Sequence, residues 1–480
     1  MTKSILCNYG YIIDKKSISD KLLEEIKNDL TVEPLIIFKM PKFNKKDLKF
    51  TVYQEGISKI LIPKFYGIEK IGLPEKEEYN DISQTLNINF NGSLHNYQNN
   101  IINKIIKNYI NENGSLKKFG GGILSVPPGK GKTVMALYLV SLLRIKTLII
   151  VHKTFLVNQW VERIKQYLPN ASVGYLYQDI IDIENKDIVI GMLQSISMKN
   201  YEDEIFEEFN LVIFDEVHHL GAKVFSRALL KIQSNFTLGL SATPERKDKL
   251  EKIFYWYLGP IIYHDYDENI KNVKVEIYKF NLSKPNDLFK IKINKITKTI
   301  NYTKMLTNIT KINERNQLII KMIKIIFNEN NRKLLILSNF IEHLKLLADI
   351  IKTELPNLSF GFYIGGMKIN KLKESEDKQI ILASYAMASE GLDIKELNSL
   401  IFATPKSDVI QSTGRILRKN HSITPIIYDI VDNISVFNAQ SKKRIKQYID
   451  KNYEISYYNT KDDNIIHNIK NPETDDDLFI

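Results

Sequence analysis

The sequence predicts an α/β protein built from two tandem parallel-sheet domains, with a small α+β domain at the N-terminus. Two series of short, almost continuously apolar runs alternate with helical stretches, which is typical of parallel strands that helices cover on both faces. The chain has 480 residues, 44% of them hydrophobic and 26% charged, enough for several domains with their own cores. Because no apolar run approaches the ~18 residues that a membrane span needs, we expect no membrane partner.

The two series define the two parallel-sheet domains. In the first domain, residues 91–265, strands are expected at Gly122–Val126, Thr147–Val151, Asp187–Met192, Leu211–Phe214 and Thr237–Leu240. In the second domain, residues 321–445, strands are expected at Lys333–Leu337, Phe360–Ile364, Gln379–Ala383, Leu400–Thr404 and Pro425–Ile430. The similar number of runs predicts two domains of comparable size.

Charge and cysteine content limit the partners and the compartment. The formal net charge is +11, and only nine of the 67 basic residues are arginine. A positive balance favours polyanionic partners, although lysines on solvated faces account for much of it. The single cysteine, Cys7, excludes an internal disulfide and any cysteine-based zinc cluster. It is compatible with a reducing, intracellular location.

Three segments flank or join the two domains. Residues 1–90 are expected to form the N-terminal domain, with a turn at Pro63–Gly67. Residues 266–320 are predicted to be a connector, in which Val273–Ile277 alternates like a half-exposed strand. Nine lysines within 271–304 fit a basic surface along a nucleic-acid path and a solvated connector equally well. Residues 446–480 are expected to be a C-terminal tail, whose acidic last ten residues predict disorder.

A glycine- and lysine-rich segment follows the first predicted strand directly and precedes an apolar helical stretch. Its residues are Val126-Pro127-Pro128-Gly129-Lys130-Gly131-Lys132-Thr133. This strand–loop–helix context is what a phosphate-binding loop requires, although Val126 replaces the usual first glycine. Gly129 and Gly131 let the backbone N–H groups turn toward an anion at the helix N-terminus. Lys132 is expected to reach the β- and γ-phosphates of ATP, and the Thr133 hydroxyl to bind Mg²⁺.

Two adjacent carboxylates, Asp215 and Glu216, end the apolar strand Leu211–Phe214. At the C-terminal end of a parallel strand, side chains project over the ligand crevice of the sheet. We therefore expect Asp215 to bind Mg²⁺ and Glu216 to polarise the attacking water as a base. The loop alone could be a surface turn, and the carboxylates alone a helix start. Together they are what a nucleotide triphosphatase needs to hold one Mg-bound triphosphate.

The segment Asp215–His218 resembles the D-E-x-H box of superfamily 2 helicases. Other motifs of that family occur in the expected order, at Leu94–Gln98, Val151–Trp160, Gly191–Ser195 and Ser241–Pro244. The resemblance implies that Gln98 contacts the adenine edge, that the next two motifs contact the nucleic-acid backbone, and that the last couples hydrolysis to domain movement. It also implies two RecA-like domains and a nucleotide-binding loop formed by Pro128, Gly129, Lys130, Gly131, Lys132 and Thr133.

Two motifs of the same family occur in the second domain. Ser389–Ile394 resembles the E-G-x-D motif, and Gln411–Arg418 matches the Q-x-x-G-R-x-x-R motif. The resemblance adds Asp393 to the nucleotide-binding residues and Gln411 to the catalytic residues.

Arginines are rare in this chain, and two of them, Arg415 and Arg418, lie three residues apart in the last motif. On a helix this spacing places both side chains on one face. The planar guanidinium fork suits phosphate oxygens and keeps its charge. We therefore expect both residues to act as arginine fingers on a phosphate held by the first domain, where such a group contributes on the order of 10³–10⁵ in rate.

Within the superfamily, the chain resembles the XPB-like branch, and most of all the large-DNA-virus helicases typified by the poxvirus transcript-release factor. Segments that carry this resemblance include Ser241–Arg246, Met387–Asp393 and Ala403–Val409. It implies an ATP- and Mg²⁺-dependent DNA helicase or translocase that acts in viral transcription termination or transcript release. The implied partners are single- or double-stranded DNA and RNA polymerase or transcription factors, in the host cytoplasm and the virion.

Three alternatives stay open at this point. RNA could replace DNA as the substrate, because these motifs contact the nucleic-acid backbone rather than the bases. A translocase on double strands that separates nothing would carry the same motifs. A scaffold that binds nucleic acid without hydrolysing ATP is disfavoured by the intact Lys132, Glu216, Arg415 and Arg418.

Overall fold

The computed structural model describes residues 3–35, 48–79, 82, 85–127, 129–221, 223–224, 226–232, 234–242, 244–246, 248–265, 272–282, 284–390, 392, 394–419, 421–459 and 465–469. The chain divides into two compact units, Met1–Tyr266 and Asp267–Ile480. Among the helices that the structure describes, none has the length and apolar character to cross a membrane.

The first unit begins with a small five-stranded sheet. Its part of the chain contains β1 (Ser4–Cys7), β2 (Gly10–Asp14), α1 (Asp20–Asp29), β3 (Thr31–Val32), β4 (Phe50–Thr51), β5 (Gln54–Glu55), β6 (Lys59–Ile62), α2 (Lys64–Ile71) and β7 (Lys76–Glu78). The strand order is β5-β6-β2-β1-β7, and β3 and β4 form a separate pair.

The turn expected at Pro63–Gly67 is wrong, because these residues start helix α2. Pro63 is the N-cap, and its fixed φ of −56° suits the entry to a helix. Gly67 is needed for close approach, since a Cβ there would lie 2.3 Å from Cγ of Tyr11. The glycine that suggested a turn therefore lets α2 pack directly against β2.

The small sheet packs against the rest of the first unit through one continuous core. The Tyr66 ring meets the Trp256 ring edge-on at 5.4 Å, and the Tyr257 hydroxyl donates to the Val52 carbonyl at 2.8 Å. The buried Lys64 ammonium donates to the Ser234 carbonyl at 2.8 Å. Burial disfavours the charged form and lowers the pKa of Lys64 to about 8.

A large, mainly parallel sheet forms the centre of the first unit. Its strands are β8 (Gly120–Ser125), β9 (Thr147–Val151), β10 (Val173–Tyr177), β11 (Ile180–Asp182), β12 (Ile188–Met192), β13 (Leu211–Asp215), β14 (Phe236–Ser241) and β15 (Ile261–His264). The order is β11-β10-β12-β9-β13-β14-β8-β15, and only the β10–β11 pair is antiparallel among these described strands. The helices are α3 (Asn96–Ile105), α4 (Lys132–Leu143), α5 (Thr154–Tyr167), α6 (Leu193–Met198), α7 (Glu204–Glu207), α8 (Ser226–Lys231) and α9 (Glu251–Leu258).

Burial on both faces explains the continuous apolar runs of this sheet. Along β13, Val212 and Phe214 join the core on one face, whereas Leu211 and Ile213 join the core on the other. Because successive side chains of a strand point to opposite faces, a strand covered on both sides needs apolar residues at every position.

The second unit repeats this plan. Its strands are β16 (Lys274–Phe280), β17 (Leu334–Ser338), β18 (Phe360–Tyr363), β19 (Ile380–Ser384), β20 (Ser399–Phe402), β21 (Ile426–Asp432), β22 (Glu454–Asn459) and β23 (Ile465–Ile469), in the order β18-β19-β17-β20-β21-β16-β22-β23. The helices are α10 (Tyr302–Ile309), α11 (Asn313–Phe327), α12 (Ile341–Glu354), α13 (Ile369–Glu376), α14 (Tyr385–Glu390), α15 (Ile410–Thr413) and α16 (Ser435–Asp450).

The α/β class with two parallel-sheet domains is confirmed, and all ten predicted strands lie in the two large sheets. The segments predicted as connector and tail differ from the expectation. β16 lies between β21 and β22, and β22 and β23 continue the second sheet beyond residue 446. The alternation in Val273–Ile277 suggested a half-exposed strand because Lys274 and Glu276 separate apolar residues, yet both edges of β16 are paired. The acidic last ten residues lie outside the described part of the chain.

Candidate functional site

The candidate site lies at one edge of the first large sheet, where the parallel strands end. β8, β14 and β13 end at Ser125, Ser241 and Asp215. The register pairs Ser125 with Ser241 across β8 and β14, and Asp215 with Leu240 across β13 and β14. The loop after β8 and the carboxylates after β13 therefore share one edge, with a single strand between them, about 10 Å apart by strand spacing.

The loop after β8 has the backbone that a phosphate site requires. Gly129 and Gly131 have φ angles of 84° and 81°, in the left-handed region that favours glycine. Gly131 is the N-cap of α4, so Lys132 and Thr133 form the first turn of a helix whose N–H groups point into the loop. The Lys132 ammonium donates to the Val126 carbonyl at 3.1 Å, which holds it across the loop. Pro128, also predicted to line the site, lies outside the described residues.

The residues before α3 brace this loop. The buried Gln98 donates through Nε2 to the Lys130 carbonyl at 3.1 Å, and its Oε1 accepts from the His95 N–H at 2.9 Å. The Tyr97 hydroxyl donates to the same Lys130 carbonyl at 3.0 Å. A Cβ at Gly131 would lie 2.3 Å from Gln98 Nε2, so only glycine allows this contact. The structure thus gives Gln98 a loop-holding position, and its contact with adenine stays a prediction.

Lys130 lies between the two glycines of the loop and adds a second lysine beside Lys132. Its ammonium lies 4.0 Å from Asp265 Oδ2 and 5.7 Å from the centre of the Tyr97 ring. Both contacts direct this extra charge toward the side of the loop that faces β15.

Asp215 is held by a tryptophan that the sequence analysis did not single out. The Trp160 indole N–H on α5 donates to Asp215 Oδ2 at 3.0 Å. Burial, followed by the charge of Glu216, raises the pKa of Asp215 to about 6. The Trp160 hydrogen bond and the positive charge of Lys132 oppose that rise. The sequence signals for this residue are its place at the end of the motif Val151–Trp160 and its rarity, because the chain has two tryptophans. Neither signal predicts the contact with Asp215.

Glu216 has a strained backbone, and one of its carboxylate oxygens has no hydrogen-bond partner among the described residues. Its φ of 54° places a residue with a Cβ in the left-handed region. Its Oε2 is buried and accepts no hydrogen bond from the described residues, although His218 Nδ1 lies 3.4 Å away. Burial lowers the pKa of His218, so that imidazole is neutral at pH 7. Strain and an unsatisfied carboxylate are both costly, and both are typical of functional sites.

The segment after β14 is tied to the turn that carries Glu216. Arg246 binds the Asp248 carboxylate through Nε at 2.8 Å and Nη2 at 2.6 Å, and its Nη1 donates to the His218 carbonyl. The His219 ring lies 3.9 Å from the His152 ring at the end of β9. Arg246 ends the segment Ser241–Arg246 that carries the family resemblance, and Thr243 of the same segment lies outside the described residues.

The oxygen donors at this sheet edge fit Mg²⁺. In the described parts of the chain, no three His, Cys, Asp or Glu side chains converge on a metal-sized site. Mg²⁺ usually takes one or two protein oxygens together with substrate phosphates and waters. The Asp215 carboxylate and the Thr133 hydroxyl are oxygen donors at the same sheet edge, beside the loop that would hold the phosphates.

In the second unit, the two predicted arginine fingers differ in exposure. Gln411 lies in α15, and the 3-10 turn Gly414–Leu417 follows it, with three residues per turn. Arg415 is buried and donates through Nη1 to the Leu392 carbonyl at 2.9 Å, whereas Arg418 is only partly buried. Arg415 thus holds the E-G-x-D segment, of which Asp393 lies outside the described residues.

Comparison with known proteins agrees with these motifs. Residues 91–246 match the family model "Type III restriction enzyme, res subunit", and residues 314–420 match "Helicase conserved C-terminal domain". These two regions are the parts of the chain that carry the phosphate loop with its carboxylates and the paired arginines.

Relatives extend the similarity to almost the whole chain. A protein of Acanthamoeba polyphaga mimivirus, whose name proposes an ATP-dependent RNA helicase, is 39% identical over 95% of this chain and 87% of its own. An Invertebrate iridescent virus 6 protein, whose name proposes a helicase, is 29% identical over 71% of this chain and 80% of its own. The DNA 3'-5' translocase XPB2 of Sulfurisphaera tokodaii is 35% identical over 33% of this chain and 35% of its own. The chain therefore belongs to the superfamily 2 helicases and is an ATP-hydrolysing helicase or translocase of that superfamily.

Proposed function

We propose that the chain translocates on DNA by hydrolysing Mg-bound ATP at the edge of the first large sheet. The observation that carries the site assignment is Glu216, a strained and unsatisfied carboxylate next to Asp215, on the edge where the phosphate loop lies. A fold retains such a costly group when a ligand supplies what it lacks.

Each site residue of the first unit then has a role in hydrolysis. Lys132 and the N–H groups of the loop hold the phosphates, and Asp215 and Thr133 hold Mg²⁺, which neutralises charge that develops on the phosphate oxygens. Glu216 accepts a proton from the attacking water, whose oxygen bonds to the γ-phosphorus as the bond to the bridging oxygen of ADP breaks. His218 lies close to Glu216 but is neutral, so it does not hold the Glu216 carboxylate in a permanent ion pair.

The second unit supplies the arginine, and Arg418 is the better candidate for the finger. The Arg418 side chain is only partly buried, whereas the buried Arg415 donates to the Leu392 carbonyl. Gln411 and Asp393 complete the set as catalytic and nucleotide-binding residues, and Gln98 contacts adenine. These roles rest on the family motifs.

We favour DNA as the track and viral transcription, through termination or transcript release with RNA polymerase, as the setting in the host cytoplasm. The XPB2 match supports a DNA track, and the viral relatives support a viral origin. The role in transcription rests on the resemblance of the motifs alone. RNA is the second candidate, because the name of the mimivirus relative proposes an RNA helicase.

A nucleic-acid panel tests this function. ATP hydrolysis is measured alone and with single- and double-stranded DNA and RNA of matched sequence. We expect stimulation, strongest with DNA and weaker at high salt because the contacts are mainly to phosphates. A rate that ignores every nucleic acid would contradict a translocase, and stimulation by RNA alone would establish the second candidate.

Lys132→Ala tests the site itself. We expect hydrolysis to be abolished, because the cation on the β- and γ-phosphates is lost. Lys118→Ala is the control, since Lys118 is exposed in the same unit and pairs only with Glu77, at 3.2 Å, among the described carboxylates. A normal rate in Lys132→Ala would refute the assignment.

A further inference from the structure

A compact hairpin occupies residues 290–301, between β16 and α10, and we call it the isoleucine hairpin. Its arms meet at an antiparallel bridge between Ile293 and Ile300. Its turn is closed by Asn294, whose side-chain oxygen accepts a hydrogen bond from the Ile296 N–H at 2.9 Å. These bonds are local, so the hairpin keeps its shape without a partner.

The hairpin stands on a fixed base in the second unit. Just before it, Leu288 and Phe289 pack against the core, and the Phe289 ring meets the Phe280 ring edge-on at 5.5 Å. Just after it, the Tyr302 ring packs edge-on against Phe437 at 5.9 Å. Both ends are thus anchored by aromatic contacts, and a force on the tip is transmitted to the sheet.

The tip exposes an unusual amount of apolar surface. The exposed fractions are 49% for Ile291, 61% for Ile293, 87% for Ile296 and 46% for Ile300. A single exposed isoleucine needs no explanation, but four within ten residues form an apolar patch of the kind that marks an interaction site. The turn is closed by polar groups, so exposed isoleucines are not needed to close it.

Lysines surround this patch. Lys290 and Lys292 lie 3.1 and 3.6 Å from the carboxylate of Asp287. Lys295 and Lys298, at the turn, take part in none of the ion pairs between described residues. The tip therefore combines an apolar centre with a positive rim, which matches a partner with apolar faces and phosphate edges.

We propose that the isoleucine hairpin packs against the terminal base pair where a duplex opens into single strands, with its lysines on the flanking phosphates. This inference rests on the proposed function, because it requires a nucleic-acid track. It gives this helicase an element for strand separation, which the motifs of the two sheets do not contain.

The composition of the tip favours a duplex end over an unpaired strand. Surfaces that bind single strands stack bases on aromatic rings, and residues 290–301 contain none. Aliphatic side chains such as isoleucine act instead as wedges that unstack base steps, and lysines bind phosphates without reading sequence.

The test is the double variant Ile293→Ser/Ile296→Ser in the full chain. Strand displacement is measured on a forked duplex, and ATP hydrolysis is measured with the unpaired strand alone. We expect displacement per ATP to fall about tenfold, as expected for losing most of an apolar wedge, with hydrolysis unchanged. The matched control is Ile57→Ser, because Ile57 is fully exposed in the turn between β5 and β6, where residues 54–59 hold a single lysine.

Displacement equal to that of wild type and of Ile57→Ser would overturn the proposal. Equal loss of displacement and of hydrolysis would also overturn it, because the hairpin would then grip the track rather than open the duplex. If the wild-type protein hydrolyses ATP on nucleic acid but displaces no strand, the position of the hairpin tip on the forked duplex is tested directly with Ile296→Cys.

Cross-linking suits this chain because its one natural cysteine, Cys7, is buried. A thiol-reactive group on a base is placed at the fork junction, or well inside the unpaired arm, and yields are compared. The proposal requires a higher yield at the junction, and equal or absent yields contradict it. This readout needs no hydrolysis, so it distinguishes failure of the hairpin from failure of the proposed function.

Discussion

The two large sheets follow the same plan, but arginines bind the carboxylates of one sheet and not those of the other. In the second unit, β21 carries two fully buried aspartates, each bound by an arginine: Arg444 contacts Asp429 at 2.7 and 2.8 Å, and Arg315 contacts Asp432 at 2.6 and 2.9 Å. In the first unit, β13 ends in two carboxylates without an arginine at either one among the described ion pairs. We infer that the paired aspartates stabilise the fold, whereas the carboxylates of the first unit are placed to bind a ligand.

The paired aspartates are satisfied beyond their arginines. The Tyr448 hydroxyl donates to Asp429 Oδ2 at 2.9 Å, and Arg444 also donates to the Lys406 carbonyl at 2.6 Å. Such complete networks fix a unique core. Glu216, in contrast, keeps a buried oxygen without a hydrogen bond and a strained backbone. The comparison therefore predicts that substituting a carboxylate of the first sheet lowers activity but not stability. Substituting a paired aspartate of the second sheet should lower stability instead.

The largest expected effect is on the catalytic side. Glu216→Gln should lower ATP hydrolysis by about 10³-fold, because the base is lost, without lowering the urea midpoint of unfolding. Stability is retained because the change removes a charge that repels Asp215. Steady-state hydrolysis and urea unfolding measure both. Glu202→Gln, on an exposed residue of the same unit, is the control, and the comparison fails if Glu216→Gln destabilises the protein while hydrolysis persists.

The mirror experiment is in the second sheet. Asp429→Asn should lower the free energy of unfolding by about 3–5 kcal/mol, because it leaves the Arg444 charge buried and unpaired. Urea unfolding measures this loss. The double variant Asp429→Leu/Arg444→Met should recover much of it, since the unpaired charge is then removed as well. A loss below about 1 kcal/mol in Asp429→Asn would show that this pair does not hold the sheet.

Sequence patterns predicted the elements of these sheets better than their contacts. The apolar runs located all ten strands because burial on both faces demands them, and the motifs placed Lys132, Asp215 and Glu216 on one edge. Contacts distant in the chain left no such pattern. Trp160 meets Asp215 across 55 residues, and Arg315 meets Asp432 across 117. Likewise, a left-handed φ at a glutamate has no signal in composition or periodicity.

Two buried groups, Asp215 in the first unit and His343 in the second, should also respond oppositely to acid. Asp215 has a pKa of about 6 in the fold against 3.8 unfolded, so its burial is penalised above pH 6 and that penalty fades as the pH falls. His343 is buried beside Ser338 and Asn316, and burial, with the charge of Arg315, lowers its pKa to about 3. The unfolded chain therefore binds a proton at His343 below pH 6.5 that the fold rejects, and stability is lost there.

Variants separate these two contributions between pH 7 and pH 5. His343→Gln should remove a loss of about 2 kcal/mol on acidification, and Asp215→Asn should remove a gain of about 1 kcal/mol. Urea midpoints at the two pH values, in a chelator that excludes Mg²⁺, give both numbers. Parallel pH profiles for the two variants would contradict the opposite signs.

The smallest expected effect concerns the hydrogen bond that orients Asp215 for ligand binding. Trp160→Phe keeps the ring in the core but removes the N–H that holds Asp215, worth about 1 kcal/mol. Because Asp215 is then less well oriented and harder to deprotonate, the Mg²⁺ concentration for half-maximal hydrolysis should rise about fivefold, with little change in the maximal rate. Trp256→Phe is the control, since the other tryptophan packs against Tyr66, in the small sheet. If both variants shift the Mg²⁺ requirement equally, Trp160 acts through packing alone, and the first sheet orients its carboxylate by other means.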